Sequence, residues 1–152
     1  SHIEAAMITL STIPDVLSQI VNIAIINQPL CESKVSIREI KRAFEECGSY
    51  STLLCCINEY VDSIEYKFVH AFANVTKHRQ IIPTKYQVSI APGPMESGLW
   101  IKEFEYKGVR YPESQAANTL ESHVLAIEGR VVKILQKLII ELEGSGSAAV
   151  VD

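Results

Sequence analysis

The feature that most constrains this chain is a long apolar repeat near its C-terminus. Between Ser114 and Glu143 there is no proline and a single glycine, Gly129. The spacing predicts one helix of about 45 Å, which is longer than the diameter of about 30 Å expected for a compact domain of this size. Its apolar residues recur in alternating steps of three and four, as in a coiled-coil seam: Ala117, Leu120, Val124, Ile127, Val131, Ile134 and Leu138.

A second apolar row lies beside this seam in the sequence pattern and consists of Leu125, Val132, Leu135, Ile139 and Leu142. Two rows carry more apolar surface than one small sheet covers. We therefore predict a non-enzymatic interaction or assembly module that forms a homodimer or higher oligomer, with another protein as a further possible partner. The predicted contact residues are Leu120, Val124, Ile127, Val131, Ile134 and Leu138. The alternative is internal packing on a helix predicted over 49–79, and both hold if the two rows contact different partners.

Three helices are predicted before residue 80. The first covers 12–26, and apolar residues on most of its sides predict that it is buried. The second begins at a capping box formed by Ser36 and Glu39 and ends at Gly48, which tolerates a left-handed backbone. The third is predicted as a single helix over 49–79, because its apolar residues also recur in steps of three and four.

The period changes to two in the middle of the chain, which is typical of half-buried strands. A proline-containing loop over 92–98 separates two such segments, and Lys107 and Gly108 predict a tight turn after the second. These segments predict a two- or three-stranded antiparallel meander that needs the helices as a packing partner. The alternating residues are Tyr86, Val88 and Ile90 in the first segment and Trp100, Phe104 and Tyr106 in the second.

The predicted fold class is therefore α+β and mostly helical, with three N-terminal helices, a small antiparallel β-meander and a long C-terminal helix. An apolar fraction of 47% in 152 residues predicts one globular domain rather than disorder. We assign this domain to 3–143 and a flexible tail to 144–152, and we set aside Ser1 and His2 as the remnant of a cleaved tag. No apolar run approaches the roughly 18 residues of a membrane span, so none is predicted.

The sequence lacks the residue patterns that a catalytic, metal or cofactor site would require. The cysteines Cys31, Cys47, Cys55 and Cys56 lie among helix-forming residues, which predicts buried, reduced thiols and an intracellular protein, cytoplasmic or nuclear. The sequence has no C-x-x-C, H-x-x-x-H or G-x-S-x-G motif, and two prolines remove amide donors from the 92–98 loop. We therefore predict no catalytic residue, no metal site and no cofactor.

The charge distribution supports a second functional hypothesis. Residues 67–110 carry seven basic and three acidic side chains, between two acidic flanks. Cations attract phosphates, and interleaved aromatic rings stack on bases, so this segment indicates RNA or DNA binding as the alternative function. The residues proposed for that contact are Lys77, His78, Arg79, Lys85, Lys102, Lys107 and Arg110.

Overall fold

A computed structural model describes residues 2–26, 29–78, 81–88 and 97–147 of the chain. These residues form a mostly helical α+β fold with a long C-terminal helix, so the predicted fold class is confirmed. The α-helices are α1 (His2–Ile25), α2 (Ile37–Cys47), α3 (Ser51–Val61), α4 (Ile64–Lys77) and α5 (Ala116–Ser147), with a short 3-10 helix at Glu32–Lys34. The strands are β1 (Thr84–Gln87), β2 (Gly98–Ile101), β3 (Phe104–Tyr106), β4 (Val109–Tyr111) and β5 (Ser114–Gln115).

Helix α1 begins ten residues before the predicted start. Pro14, which was expected in the first turn, lies inside the helix. A proline in a helix interior leaves the carbonyl four residues earlier without its usual amide donor. Ser18 lies one turn later, and its hydroxyl donates to the Pro14 carbonyl over 2.6 Å. The good helix formers between Ala5 and Leu10 extend the helix in spite of this proline.

The boundaries of α2 are confirmed by its caps. The Ser36 hydroxyl accepts a hydrogen bond from the Glu39 amide at 3.3 Å. Gly48 ends the helix in the left-handed region, at a φ of 66°, and its amide donates to the Phe44 carbonyl. Ile40 and Phe44 are buried, one turn apart on the inner side of the helix.

The single helix predicted over 49–79 is wrong, because the chain breaks it into α3 and α4 at Asp62 and Ser63. The Ser63 amide and hydroxyl both donate to the Tyr60 carbonyl, at 3.1 and 2.7 Å. A serine side chain that bonds a backbone carbonyl in this way competes with helix continuation. Apolar spacing does not report such a break, since α3 and α4 both keep a buried side.

The β-structure is antiparallel, but its pairing is richer than predicted. Strands β1, β2 and β5 form one sheet with β2 in the centre, and β3 pairs with β4 in a separate hairpin. The alternation from Trp100 to Tyr106 is interrupted at Lys102, whose amide donates to the Pro83 carbonyl over 2.9 Å. Lys107 and Gly108 form the expected turn, both with positive φ. Ile90 and most of the predicted 92–98 loop lie outside the described residues.

The chain divides into two compact units, each with its own buried side chains. Unit 1 contains Ser1–Ser11 and Ile64–Ala126, and unit 2 contains Thr12–Ser63 and Ile127–Asp152. The fully buried residues of unit 1 include Met7, Phe72 and Ile101, and those of unit 2 include Phe44, Ile57, Tyr60 and Ile134. The first four residues of the predicted tail, 144–147, continue α5. The expected helix end at Glu143 is therefore wrong. Residues 148–152 lie outside the described part of the chain.

Candidate self-association surface

The structure divides the six predicted contact residues of α5 into two groups. Ile127, Ile134 and Leu138 are at most 3% exposed and belong to the buried side chains of unit 2. A side chain that is already packed cannot contact a second copy without leaving its own core. The part of the seam formed by Ile127, Ile134 and Leu138 is therefore internal to unit 2. The three more accessible members of the set are Leu120, Val124 and Val131.

The second apolar row of α5 behaves differently. In unit 2, Val132 and Ile139 are 45% and 53% exposed, and their neighbours Ile140 and Leu142 are exposed as well. We call these four residues the outer row. At 3.6 residues per turn, Val132 lies about 160° around the helix from Ile134. Val132 and Ile139 therefore lie on the side of α5 away from the buried seam, whereas Leu142 lies closer to it, about 40° around the helix from Leu138.

An ion pair links α5 to α3 within unit 2. The Lys133 ammonium donates to the Glu59 carboxylate of α3 over 2.5 Å. This hydrogen bond raises the pKa of Lys133 and lowers the pKa of Glu59. Both side chains are about half exposed, so the pair contributes little to stability, but it joins residues 74 positions apart. With the inner side held against its own subunit, the outer row is left in water.

Helix α1 carries another exposed apolar stripe. The prediction of burial is therefore wrong for this face of the helix. Val16, Ile20 and Ile23 are exposed, at a spacing of four and three residues that places them on one face. The same spacing is visible in the sequence, but the sequence-based prediction did not identify an exposed face from it. The opposite side is anchored by Asn22, whose side-chain amide exchanges hydrogen bonds with both backbone groups of Leu30, at 2.8 and 3.0 Å.

Helix α1 is also the one described helix that is long and apolar enough, by length and composition, to cross a membrane. In the window that meets this criterion, 28% is buried within the protein. A core helix of a soluble protein and a signal sequence meet the same criterion, so the finding is weak.

The basic residues proposed for nucleic-acid binding are partly neutralised by carboxylates. Lys85 and Lys102 both contact Glu113, at 2.7 and 2.8 Å, and the pKa of Glu113 is lowered mainly by the hydrogen bond from Lys102. Arg110 donates to Glu103 at 2.7 Å, which lowers the pKa of Glu103. These acidic partners reduce the positive field that would attract phosphates.

The remaining members of the basic set are more dispersed. Lys77 and His78 are exposed at the end of α4, and Lys107 lies over the Tyr106 ring at 5.3 Å. Arg79 lies outside the described residues. The structure thus brings Lys85 and Lys102 together, but around an acidic residue rather than an open anion site. Nucleic-acid binding stays a prediction.

His123 lies in an aromatic cluster of unit 1. The His123 ring packs edge-on against Phe68 at 4.9 Å, and Phe68 in turn contacts Phe104 and Tyr111. The Nε2 atom of His123 is buried without a hydrogen-bond partner. Burial lowers the pKa of His123, so the ring is neutral in the folded protein at neutral pH.

The cysteines are free, and three of them are exposed, so the prediction of burial holds for Cys56 only. Cys55 and Cys56 are adjacent on α3 and point in directions about 100° apart, which places one outside and one inside. Among the described residues, no group of three or more histidine, cysteine, aspartate or glutamate side chains could hold a metal ion.

Comparison with known proteins gives no relative for this chain: no family model, no curated protein and no solved structure matches it.

Proposed function

We propose that this chain is a non-enzymatic module that self-associates, and that the outer row of α5 forms the contact. The observation that carries the proposal is that the two apolar rows of α5 have different environments. One row is buried in unit 2, and the other leaves Val132, Ile139, Ile140 and Leu142 in water. Contiguous exposed apolar patches on soluble proteins mark interaction sites more often than chance.

Helix geometry also favours this surface. Val132 and Ile139 lie seven residues apart in unit 2 and are both exposed. A seven-residue apolar repeat is the pattern with which a helix packs along a partner helix. The side chains are aliphatic and helix-borne, so association would fix few additional backbone torsions.

The test is the concentration dependence of the oligomeric state, measured by analytical ultracentrifugation. The wild-type protein is expected to sediment faster as its concentration rises. Val132→Glu places a charge in the contact and is expected to weaken association by at least about tenfold, or about 1.4 kcal/mol. The matched control is Ile64→Glu, because Ile64 is 79% exposed at the start of α4, where a carboxylate suits the helix dipole.

Two results would overturn the proposal. The first is a wild-type protein that stays monomeric at every concentration. The second is an equal loss of association in Val132→Glu and Ile64→Glu, since that would make the effect one of general surface charge rather than of the outer row.

A further inference from the structure

We propose that the end of α5 docks into a basic groove on α2 of a second copy of the chain. This inference rests on the proposed self-association and names the surface that receives α5. An open groove of about 420 Å³ lies along α2 in unit 2. It is lined by Ile37, Arg38, Lys41, Arg42, Glu45 and Val61.

The groove combines an apolar surface with an excess of positive charge. Ile37 and Val61 supply the apolar part, and three cations stand against the carboxylate of Glu45. Arg42 is already bound to Glu39 and lies 3.7 Å from Glu46. Within the described chain, no hydrogen bond or ion pair engages the side chains of Arg38 or Lys41. These two cations are therefore available to an incoming carboxylate.

The end of α5 has the complementary character. Ile139, Ile140 and Leu142 are exposed, and they alternate with Glu141 and Glu143. Glu143 is exposed and lies four residues after Ile139, so it extends the outer row on the same side of the helix. Glu141 is half-buried and already engaged, so Glu143 is the carboxylate that the docking requires.

An apolar-acidic helix end suits this groove better than a polyphosphate does. Ile37 and Val61 would gain cover from Ile139 and Leu142, whereas a phosphate backbone would leave them in water. The donor and the acceptor surfaces are different, and each copy presents one end of α5 and one groove, so two copies can exchange these contacts reciprocally.

This asymmetry allows a charge-exchange experiment. Lys41→Glu reverses a positive charge in the groove, and Glu143→Lys reverses the negative charge at the end of α5. Each single variant is expected to lose about tenfold in self-association, because an attraction across the contact becomes a repulsion. The double variant, and a mixture of the two single variants, are expected to recover association, since each offers an opposite-charge pair. The control is Lys34→Glu, an equal charge change at an exposed lysine outside the groove.

Sedimentation velocity over a concentration series gives the readout, and association is expected to weaken at high salt. If the wild type associates but neither single variant is impaired, or if the double variant fails to recover, the docking inference is overturned while the proposed function stands. If the wild type does not associate at all, the proposed function fails, and this inference fails with it.

Discussion

The orientation of α5 can be tested without any reference to association. Ile134 is fully buried, so Ile134→Ala leaves a cavity in unit 2. Three carbon atoms are removed, and at about 0.8 kcal/mol each their transfer amounts to about 2.4 kcal/mol. The unfilled space raises the expected loss in the free energy of unfolding to about 3 kcal/mol, within the range of 2–5 kcal/mol seen for such changes.

Val132→Ala is the matched comparison on the opposite side of the same helix. Val132 is 45% exposed, so removal of two carbon atoms forfeits only about half of their transfer energy, or about 0.8 kcal/mol. Alanine favours a helix over valine by about 0.5 kcal/mol, which offsets most of that loss. The expected net change is about 0.5 kcal/mol or less.

The assay is urea denaturation followed by circular dichroism. Because association stabilises the folded state, the measurement is repeated at several protein concentrations and the values at the lowest concentration are compared. Equal losses for the two variants would refute the assignment of inner and outer sides. A larger loss for Val132→Ala would show that α5 is rotated relative to the structure described above.

Two further predictions concern titratable groups. The pKa of His123 is lowered by burial, so the unfolded chain takes up its proton near pH 6.5 while the folded chain takes it up at a lower pH. The free energy of unfolding should therefore fall as the pH drops below about 6.5 and level off below the folded pKa of His123. His123→Phe should remove this pH dependence. A variant with the same pH profile as the wild type would contradict the prediction. The pKa of Cys31 is lowered by a hydrogen bond from the Ser33 hydroxyl, so Cys31 should be alkylated faster than the other cysteines and Cys56 slowest. Mass spectrometry of peptides after brief iodoacetamide treatment tests this, and Ser33→Ala should slow the reaction at Cys31.

The sequence correctly predicted the features that depend on residues close together in the chain, such as helix caps and tight turns. The start and end of α2 followed from Ser36 and Gly48, because a cap is decided by residues within one turn. The turn at Lys107 and Gly108 followed for the same reason. The break before α4 was missed because it depends on one hydrogen bond from the Ser63 side chain, which apolar spacing does not encode.

The sequence predicted only part of the candidate surface. The seven-residue spacing identifies two apolar rows on α5, but it does not show which of the two rows is buried. That choice depends on residues distant in sequence, such as Glu59 of α3, which binds Lys133 of α5. The neutralisation of Lys85 and Lys102 by Glu113 depends in the same way on the pairing of β1, β2 and β5. The groove on α2 left one signal in the sequence: Arg38, Lys41 and Arg42 lie three and four residues apart, so they share a side of the helix.

The separation of two apolar rows on one helix has a consequence for how this protein tolerates change. Substitutions at Ile127 or Ile134 are expected to act on folding, because these side chains are buried. Substitutions at Val132 or Ile139 are expected to act on the proposed contact with a second copy, because these side chains are exposed. A monomer gains little stability from leaving aliphatic side chains in water, and Ala or Lys at those positions would suit an isolated helix better. The proposed contact with a second copy would cover the exposed aliphatic residues of α5, so Val132, Ile139 and Glu143 are the first positions to substitute, before any residue of the buried seam.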